Sequence, residues 1–244
     1  MVAGSPLSSP HFEFSYESMS DEQICDAIHA VPASDHDEEL VRVKVTGASG
    51  QHNAMMRLKH PVRVQVEGHL GDYAFAMNQD ADIRLTGSVR HGAAEGMASG
   101  AVRVQGNADV GAGTAMTGGT LAIFGNAGPR CGAAMRSGSI FVRGDVGDEA
   151  GIGAIGGTIV IGGNAGHRLG DAVNHVAVFL RGKALSLADG VTEAPLRKRE
   201  ELRLGLLLIN ASIRGDAKEF RRIVPTALLQ AEQAQRGEVS PNWR

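Results

Sequence analysis

The sequence contains few aromatic residues, few cysteines and no long hydrophobic run, and each scarcity excludes a class of protein. Aromatic residues make up only 4% of the 244 residues, which leaves little surface for stacking sugar rings. Cys25 and Cys131 cannot form a disulfide framework, so we expect a reduced, cytoplasmic compartment. The apolar run at 204–209 is far too short to span a membrane. The formal net charge of -3 provides no basic field for nucleic acid.

Glycine is unusually abundant, and it is concentrated in the middle of the chain. Of the 33 glycines, 26 lie between Val62 and Gly182, a segment that contains no lysine. Glycine at this density is typical of a phosphate-binding loop, of a flexible linker or of a repeat. The sharp change of composition predicts a central module flanked by different end segments.

The central glycines recur with a strict period of nineteen, without one insertion. The anchor glycines of this repeat are Gly68, Gly87, Gly106, Gly125, Gly144, Gly163 and Gly182. A short strand precedes each anchor, and its second and fourth residues are aliphatic in every coil from residue 82 onward. Alternation with period two gives each strand one buried face, and the longer period stacks equivalent residues. We therefore predict a mainly β fold, a right-handed parallel β-helix of 19-residue coils.

The β-helix is predicted over residues 41–186, between an N-terminal strand and helix cap (1–40) and C-terminal helices with a polar tail (187–244). Ser20 and Gln23 fit a capping box that starts a helix over 22–31. The segment 41–47 is expected to form an early, less regular coil.

Beyond the repeat, the periodicity of the chain becomes helical. Pro195 fits the first turn of a helix over 195–209, whose leucines must be covered by the β-helix end or by another chain. Asp216 is expected to cap a second helix that presents Phe220, Ile223 and Val224 on one face until Pro225. The tail 232–244 is polar, and we expect it to extend along a partner or to be loose.

Equivalent positions in successive coils form columns with distinct properties. The residue after the anchor is a turn-forming type that can also bond along the axis: Asn107, Asn126, Asp145 and Asn164. Small residues six positions after the anchor are interpreted as interior: Ala74, Ala93, Ala112, Cys131 and Ala150. A methionine column, Met97, Met116 and Met135 with Met77 one position out of phase, favours core packing over a cofactor contact or an interface stripe.

The glycine-rich turns do not carry a phosphate-binding signature. Residues 125–132 and 162–170 lack the lysine of a P-loop. The segment GIGAIG at 151–156 has the spacing GxGxxG, but it leads into a strand where a dinucleotide fingerprint opens a helix. We interpret these glycines as corners of the coil.

The sequence assigns no catalytic, cofactor-binding or metal-binding residue. Four histidines lie in the repeat, His69, His91, His167 and His175, and only His91 and His167 share a position, four coils apart. With Cys131 isolated from them, a zinc site is disfavoured. Asp145, Asp148 and Glu149 lie in one coil and leave a carboxylate pair for glycoside cleavage open, although charged turn residues are more often solvated.

Particular motifs of the repeat resemble a known family. They are GH-G-Y-MNQ at 68–79, the GNA turns and the RCG step at 130–132, all in register. Over roughly residues 42–186 the chain resembles the GXGXG β-helix domain at the C-terminal end of the glutamate synthase large subunit. It is similar in particular to the free-standing version of that domain, the small β-helical subunit of methylamine–glutamate N-methyltransferase (N-methylglutamate synthase).

The resemblance implies a structural subunit that carries no catalytic residues of its own. In that family the β-helix assembles with an amidotransferase-like subunit and with a synthase-like subunit that binds FMN and is associated with an iron–sulfur cluster. A similar β-helix also serves in formylmethanofuran dehydrogenase and in a bacterial formyltransferase/hydrolase complex, which is one alternative. The other is a glutamate synthase-type domain in another amidotransferase complex. A stand-alone β-helical enzyme and a self-assembling structural protein are further hypotheses, and the sequence leaves the question of enzyme activity open.

Overall fold

The computed structural model describes residues 11–32, 40–173, 176–211 and 215–238. The strands within these residues are β1 His11–Ser15, β2 Val41–Gln51, β3 Val62–Leu70, β4 Asp82–Leu85, β5 Ala101–Val104, β6 Thr120–Ile123, β7 Ser139–Val142, β8 Thr158–Ile161, β9 Ala177–Leu180, β10 Val191–Ala194 and β11 Arg221–Pro225. The helices there are α1 Asp21–Ala30, α2 Lys198–Asn210 and α3 Thr226–Glu238. None of these helices is long and apolar enough to cross a bilayer.

Strands β2 to β9 stack in parallel, one coil on the next, and confirm the predicted parallel β-helix. From β4 to β9 each strand residue pairs with the residue one repeat of nineteen later in the sequence, as Asp82 does with Ala101 and Thr158 with Ala177. The second and fourth residues of these strands are buried inside the coil: Ile83, Leu85, Val102, Val104, Leu121, Ile123, Ile140, Val142, Ile159, Ile161, Val178 and Leu180. The aliphatic alternation therefore forms the core.

The first coil is less regular, as the sequence predicts. The sequence separation of the paired residues falls by one from the pair Val41 and Val62 to the pair Ala48 and Gly68. It falls by one more at the pair Gln51 and Leu70, where it equals that of the regular coils. Two register shifts within β2 account for this change, because each shift removes one residue from the offset between the strands. The strict period therefore begins only where β2 ends.

A ladder of hydrogen bonds follows the corner after each anchor glycine. Asn107 Oδ1 accepts the Asn126 backbone N–H at 2.8 Å, and Asn126 Oδ1 accepts that of Asp145 at 2.9 Å. The ladder runs through His69, Ser88, Asn107, Asn126, Asp145, Asn164 and Lys183. The predicted bonding along the axis is present, and it runs from side chain to backbone.

The predicted interior columns are confirmed. The small-residue column is buried, with Cys131 in the place that alanine takes in the neighbouring coils, and so are Met97, Met116 and Met135. Asn78 takes the methionine position one coil earlier, and its Nδ2 donates to Ala81 O at 3.0 Å and to Ser99 O at 3.2 Å. Met77, one position out of phase, is 42% exposed.

Helix α1 covers the N-terminal end of the β-helix. Its capping box joins Ser20 and Gln23 as predicted, and Ile24 and Ile28 are fully buried. Asp21 Oδ1 accepts the Met55 backbone N–H at 3.0 Å. In the next coil the equivalent N–H, that of Phe75, donates to Ala54 O of the preceding coil at 2.8 Å. Asp21 thus supplies to Met55 the kind of acceptor that the preceding coil supplies to Phe75.

The C-terminal end differs from the prediction. Helix α2 begins at Lys198, because Pro195 follows the end of β10. The second helix predicted after Asp216 is wrong, since Asp216 caps only the 3-10 turn Ala217–Glu219. Residues Ile223 and Val224 lie in β11, which pairs antiparallel with both β9 and β10. The free edge of β9 offers these β-branched residues a strand partner, and that pairing decides against a helix.

The tail is also more ordered than predicted. Residues 232–238 belong to α3, and residues 239–244 lie outside the described part. Arg222 of β11, with a nearly buried side chain, forms two bonds to Glu232 of α3, Nη1 to Oε1 at 3.0 Å and Nη2 to Oε2 at 2.5 Å. This ion pair joins the last helix to the sheet.

Helix α2 packs on the outer side of the sheet. The outward positions Ala122, Phe141, Val160 and Phe179 form one buried cluster with Leu204 and Leu208 of α2. In earlier strands the same row carries Arg84 and Arg103, which α2 does not cover. Burial of a leucine contributes roughly 1.5–3 kcal/mol, so the apolar half of the row selects the position of the helix.

Candidate interaction surface

The turns opposite the strands contain an unusual backbone pattern that the sequence analysis did not find in full. Positive φ angles occur at alternate residues, five, seven and nine positions after the anchor. The residues are Asn53, Met55 and Arg57; Tyr73, Phe75 and Met77; Gly92, Ala94 and Gly96; Gly111, Gly113 and Ala115; Arg130, Gly132 and Ala134; Glu149, Gly151 and Gly153; and Arg168 and Gly170. The sequence alone shows the glycine column seven positions after the anchor, Gly113, Gly132, Gly151 and Gly170, whereas the columns at five and nine were missed.

The left-handed residues hold adjacent coils together. The Tyr73 and Met77 backbone N–H groups each donate forward to the next coil, at 2.7 Å, whereas Phe75 N–H donates back to the preceding coil. The same alternation recurs through Gly151. Alternate residues must therefore be left-handed for their amides to reach both neighbours, which explains the repeated spacing of glycine.

The middle residue of each triplet points into the core, and the outer two point outward. Met55 and Phe75 are fully buried, whereas the next coil has Ala94 at this position and the later coils have glycine. A Cβ on Gly132, for example, would lie 2.7 Å from Ile159 Cδ1. Core packing therefore accounts for bulky Met55 and Phe75, but it does not account for bulky residues at the outer positions.

Tyr73 and Met77 are the bulky apolar residues at the outer positions, 46% and 42% exposed. Tyr73 lies over Gly92, where a Cβ would be 2.5 Å from its ring. Arg57 Nε lies 3.5 Å from Met77 Sδ. We call the surface formed by Arg57, Tyr73, Met77, Gly92 and Gly96 the Tyr73–Met77 face.

The Tyr73–Met77 face combines backbone strain with exposed apolar area. A left-handed conformation costs a non-glycine residue roughly 1 kcal/mol or more, and the next coil avoids that cost with Gly92 and Gly96. Non-glycine residues held in such strained conformations are typical of functional surfaces. An aromatic ring and a thioether beside a floor without side chains can pack against an apolar segment of a partner protein.

A polar rim borders this face. His52 Nδ1 lies 3.1 Å from Asp72 Oδ2, and Arg90 Nε lies 3.7 Å from Asp72 Oδ1. Desolvation acts to raise the pKa of Asp72, but the His91 backbone N–H and the nearby His52 and Arg90 lower it overall. Asp72 is therefore ionised at neutral pH, in the arrangement of an apolar centre with a charged border.

The other residues of the GH-G-Y-MNQ motif have structural roles. His69 Nδ1 accepts the Ser88 N–H at 3.0 Å in the corner ladder. A Cβ on Gly71 would lie 2.5 Å from Gly50 O. Asn78 closes the turn before β4 through Ala81 O, and Gln79 N–H donates to Leu58 O at 2.9 Å. Tyr73 and Met77 are the apolar side chains at the outer positions of the motif, and both are exposed.

The glycine-rich turns are filled by the neighbouring coil. A Cβ on Gly147 would lie 2.5 Å from Pro129 N, and one on Gly166 would lie 2.2 Å from Asp148 Oδ1. These glycines allow the turns of adjacent coils to approach each other closely. The segment 151–156 forms a turn that leads into β8, as predicted.

The three acidic residues weighed as a carboxylate pair all have structural partners. Asp145 Oδ1 accepts the Asn164 N–H at 2.6 Å, and Asp148 Oδ1 accepts the His167 N–H at 2.7 Å. Glu149 pairs with Arg130 Nε at 2.9 Å. Each of the three carboxylates thus contacts a residue of an adjacent coil.

The histidines are likewise dispersed. His91 Nδ1 lies 3.5 Å from Asp109 Oδ2, and His167 Nδ1 lies 3.3 Å from Ser186 Oγ. His175 lies outside the described residues. In the described part of the chain no group of three or more His, Cys, Asp or Glu side chains could hold a metal ion.

Comparison of the chain with protein-family models, curated proteins and solved structures gives no match.

Proposed function

We propose that the chain is a structural subunit of a glutamate-synthase-like, FMN-dependent complex that converts methylamine and L-glutamate to N-methyl-L-glutamate and ammonia. Its partners in this proposal are an amidotransferase-like subunit and a synthase-like subunit. FMN, and any iron–sulfur cluster, binds to the synthase-like subunit. The catalytic residues lie on the partners, and the β-helix holds them in position.

The main structural support for this proposal is the Tyr73–Met77 face. Both residues belong to the motif on which the family resemblance rests, and both are exposed in a backbone conformation that glycine would adopt at lower cost. A binding role explains why bulky side chains occupy these positions. The rigid, hydrogen-bonded coils beneath them keep the face preorganised, which lowers the entropic cost of docking.

The test is co-expression of the tagged chain with the amidotransferase-like and synthase-like subunits. We expect the complex to co-purify with flavin absorbance, and Tyr73→Gly and Met77→Gly each to weaken retention of the synthase-like subunit at least tenfold. Because both substitutions relieve backbone strain, the melting temperature of the isolated variants should be unchanged or higher. The two substitutions should therefore weaken binding of the synthase-like subunit without lowering the melting temperature.

Ala134→Gly is the matched control, since Ala134 is exposed and left-handed at the same repeat position as Met77, three coils later. It should relieve strain without affecting the complex. If the parent chain retains no flavoprotein, or if it converts methylamine and glutamate alone, the proposal fails. Retention of a formyltransferase/hydrolase assembly instead would establish the alternative.

A further inference from the structure

Helix α2 has two apolar sides, of which the sheet covers one. Leu204 and Leu208 are buried against the outer row of the sheet. Leu202, Leu206 and Ile209 are 74%, 67% and 74% exposed. Their spacing of four and three residues aligns them along the opposite side of the helix, and we call these three residues the α2 stripe. Clustered exposed leucines of this kind mark an interaction site.

Gly205 lies beside the α2 stripe, and no neighbour among the described residues requires a glycine there. A Cβ at this position would meet nothing within 4 Å, and the backbone there is helical. Glycine inside a helix is about 1 kcal/mol less favourable than alanine. A Cβ on Gly68 would clash with Ala48 O at 1.9 Å, whereas no contact within the described residues explains Gly205. It leaves a gap next to Leu206 that an incoming side chain can fill.

We propose that the occupant is a second copy of this chain, with the two α2 helices packed antiparallel about a two-fold axis. An axis midway between residues 205 and 206 pairs Leu206 with Gly205 of the second copy. The same axis pairs Leu202 with Ile209 of the second copy. The stripe is therefore self-complementary, with the largest gap opposite a leucine, as an isologous interface requires.

The charges of α2 favour this orientation. Lys198 and Arg199 are exposed in the first turn, and the last turn contains no basic residue. An antiparallel pair places these cations beside the C-terminal carbonyl groups of the other helix, where the helix dipole is negative. A parallel pair would bring the four cations together. Glu200 points away from the stripe, toward Arg197 and Arg222.

The size of the contact sets the expected strength. A 13-residue helix is about 20 Å long, so two such helices bury less area than a standard stable interface. We expect a dimer in equilibrium with monomer at micromolar concentrations.

Sedimentation velocity of the isolated full chain over roughly 1 to 100 μM measures this equilibrium directly. Leu206→Glu should give a monomer at every concentration. Leu185→Glu is the control, since Leu185 is 71% exposed outside α2 and should leave the dimer unchanged. Gly205→Ala should raise the melting temperature through helix propensity and still weaken the dimer at least tenfold, a combination that a merely solvated helix would not show.

Disulfide trapping tests the geometry. In a Cys25→Ser background, Leu202→Cys combined with Ile209→Cys should form a covalent dimer on mild oxidation, whereas each single variant should not. A parent chain that is monomeric throughout, or a dimer that survives Leu206→Glu, overturns the proposal. So does a monomer whose binding to anionic vesicles, or to the partner subunits, is lost in Leu206→Glu. The sedimentation and disulfide measurements use the chain alone, so they are independent of the complex proposed above.

Discussion

Cys131 occupies a position that alanine fills in the neighbouring coils, and its thiol is fully buried. Burial raises the pKa of this thiol to about 12. Burial, followed by the nearby Asp21 carboxylate, raises the pKa of the Cys25 thiol to about 12 as well. Both cysteines therefore behave as small neutral side chains near neutral pH, and neither resembles an activated nucleophile.

The two thiols should make the protein less stable in alkali. In the unfolded chain they lose their protons near pH 9, whereas in the folded chain they keep them until about pH 12. The free energy of unfolding should therefore fall as the pH rises from about 9 toward 12, and be insensitive to these groups below that range. Urea unfolding at pH 7 to 10.5 measures this slope.

Cys131→Ala is the control for the alkaline effect, because alanine fits this column in the adjacent coils. The variant should fold at pH 7 and show a shallower decline above about pH 9. An unchanged slope in Cys131→Ala, together with rapid thiol labelling of the native protein at pH 8, would contradict the assignment.

At the scale of elements, α1 stabilises the first coil through one carboxylate. Asp21 accepts hydrogen bonds from the Tyr16 hydroxyl at 2.6 Å and from the Met55 backbone, and Cys25 Sγ lies 3.6 Å from it. A repeat unit at the end of a solenoid has lost one neighbour and needs a substitute for its hydrogen bonds. Asp21 supplies that substitute at the Met55 amide.

Asp21→Ala should destabilise the protein by roughly 2 kcal/mol, since hydrogen bonds to a charged group contribute about 1.5–3 kcal/mol. Asp21→Asn retains an oxygen acceptor and should lose less. Hydrogen exchange should show faster opening of the turn around Met55 in Asp21→Ala, with strands β7 and β8 unaffected. Exchange that accelerates equally in all coils would indicate a global effect and not a cap.

For the whole molecule, stability should be graded along the axis. Each coil contacts only its neighbours, and α2 covers the outer row from β6 to β9 but not from β3 to β5. We expect amide exchange to be slowest in β6 to β8 and faster in β1 and α3, where fewer groups must open together.

Leu208→Ala tests the origin of this gradient. Removal of the buried leucine should cost about 2–5 kcal/mol and speed exchange in β7 and β8 more than in β3, because it loosens α2 from the sheet. Mass-spectrometric hydrogen exchange measures both regions in one experiment. A uniform exchange rate from β3 to β9 would contradict nearest-neighbour stability.

Much of the fold was predictable because its determinants are local. The regular glycine spacing, the aliphatic alternation and the Ser20 capping box each depend on neighbouring residues, and each is confirmed. The segment at Ile223 and Val224 was predicted incorrectly, because the free edge of β9 outweighed a weak helical pattern. The candidate surface was harder to predict, since tyrosine and methionine, the residue types at positions 73 and 77, do not indicate a left-handed backbone.

By itself, the sequence determined the β-helix and its interior, since a strictly periodic chain can bury its recurring aliphatic positions only by stacking equal coils. Only the tertiary structure decided where α1, α2 and β11 lie and which side chains remain exposed. Helix α2 could cover one apolar face only by leaving Leu202, Leu206 and Ile209 outside, and Asp21 could replace a missing coil only once α1 lay across the end. These outcomes depend on competition between distant surfaces, which no local pattern records.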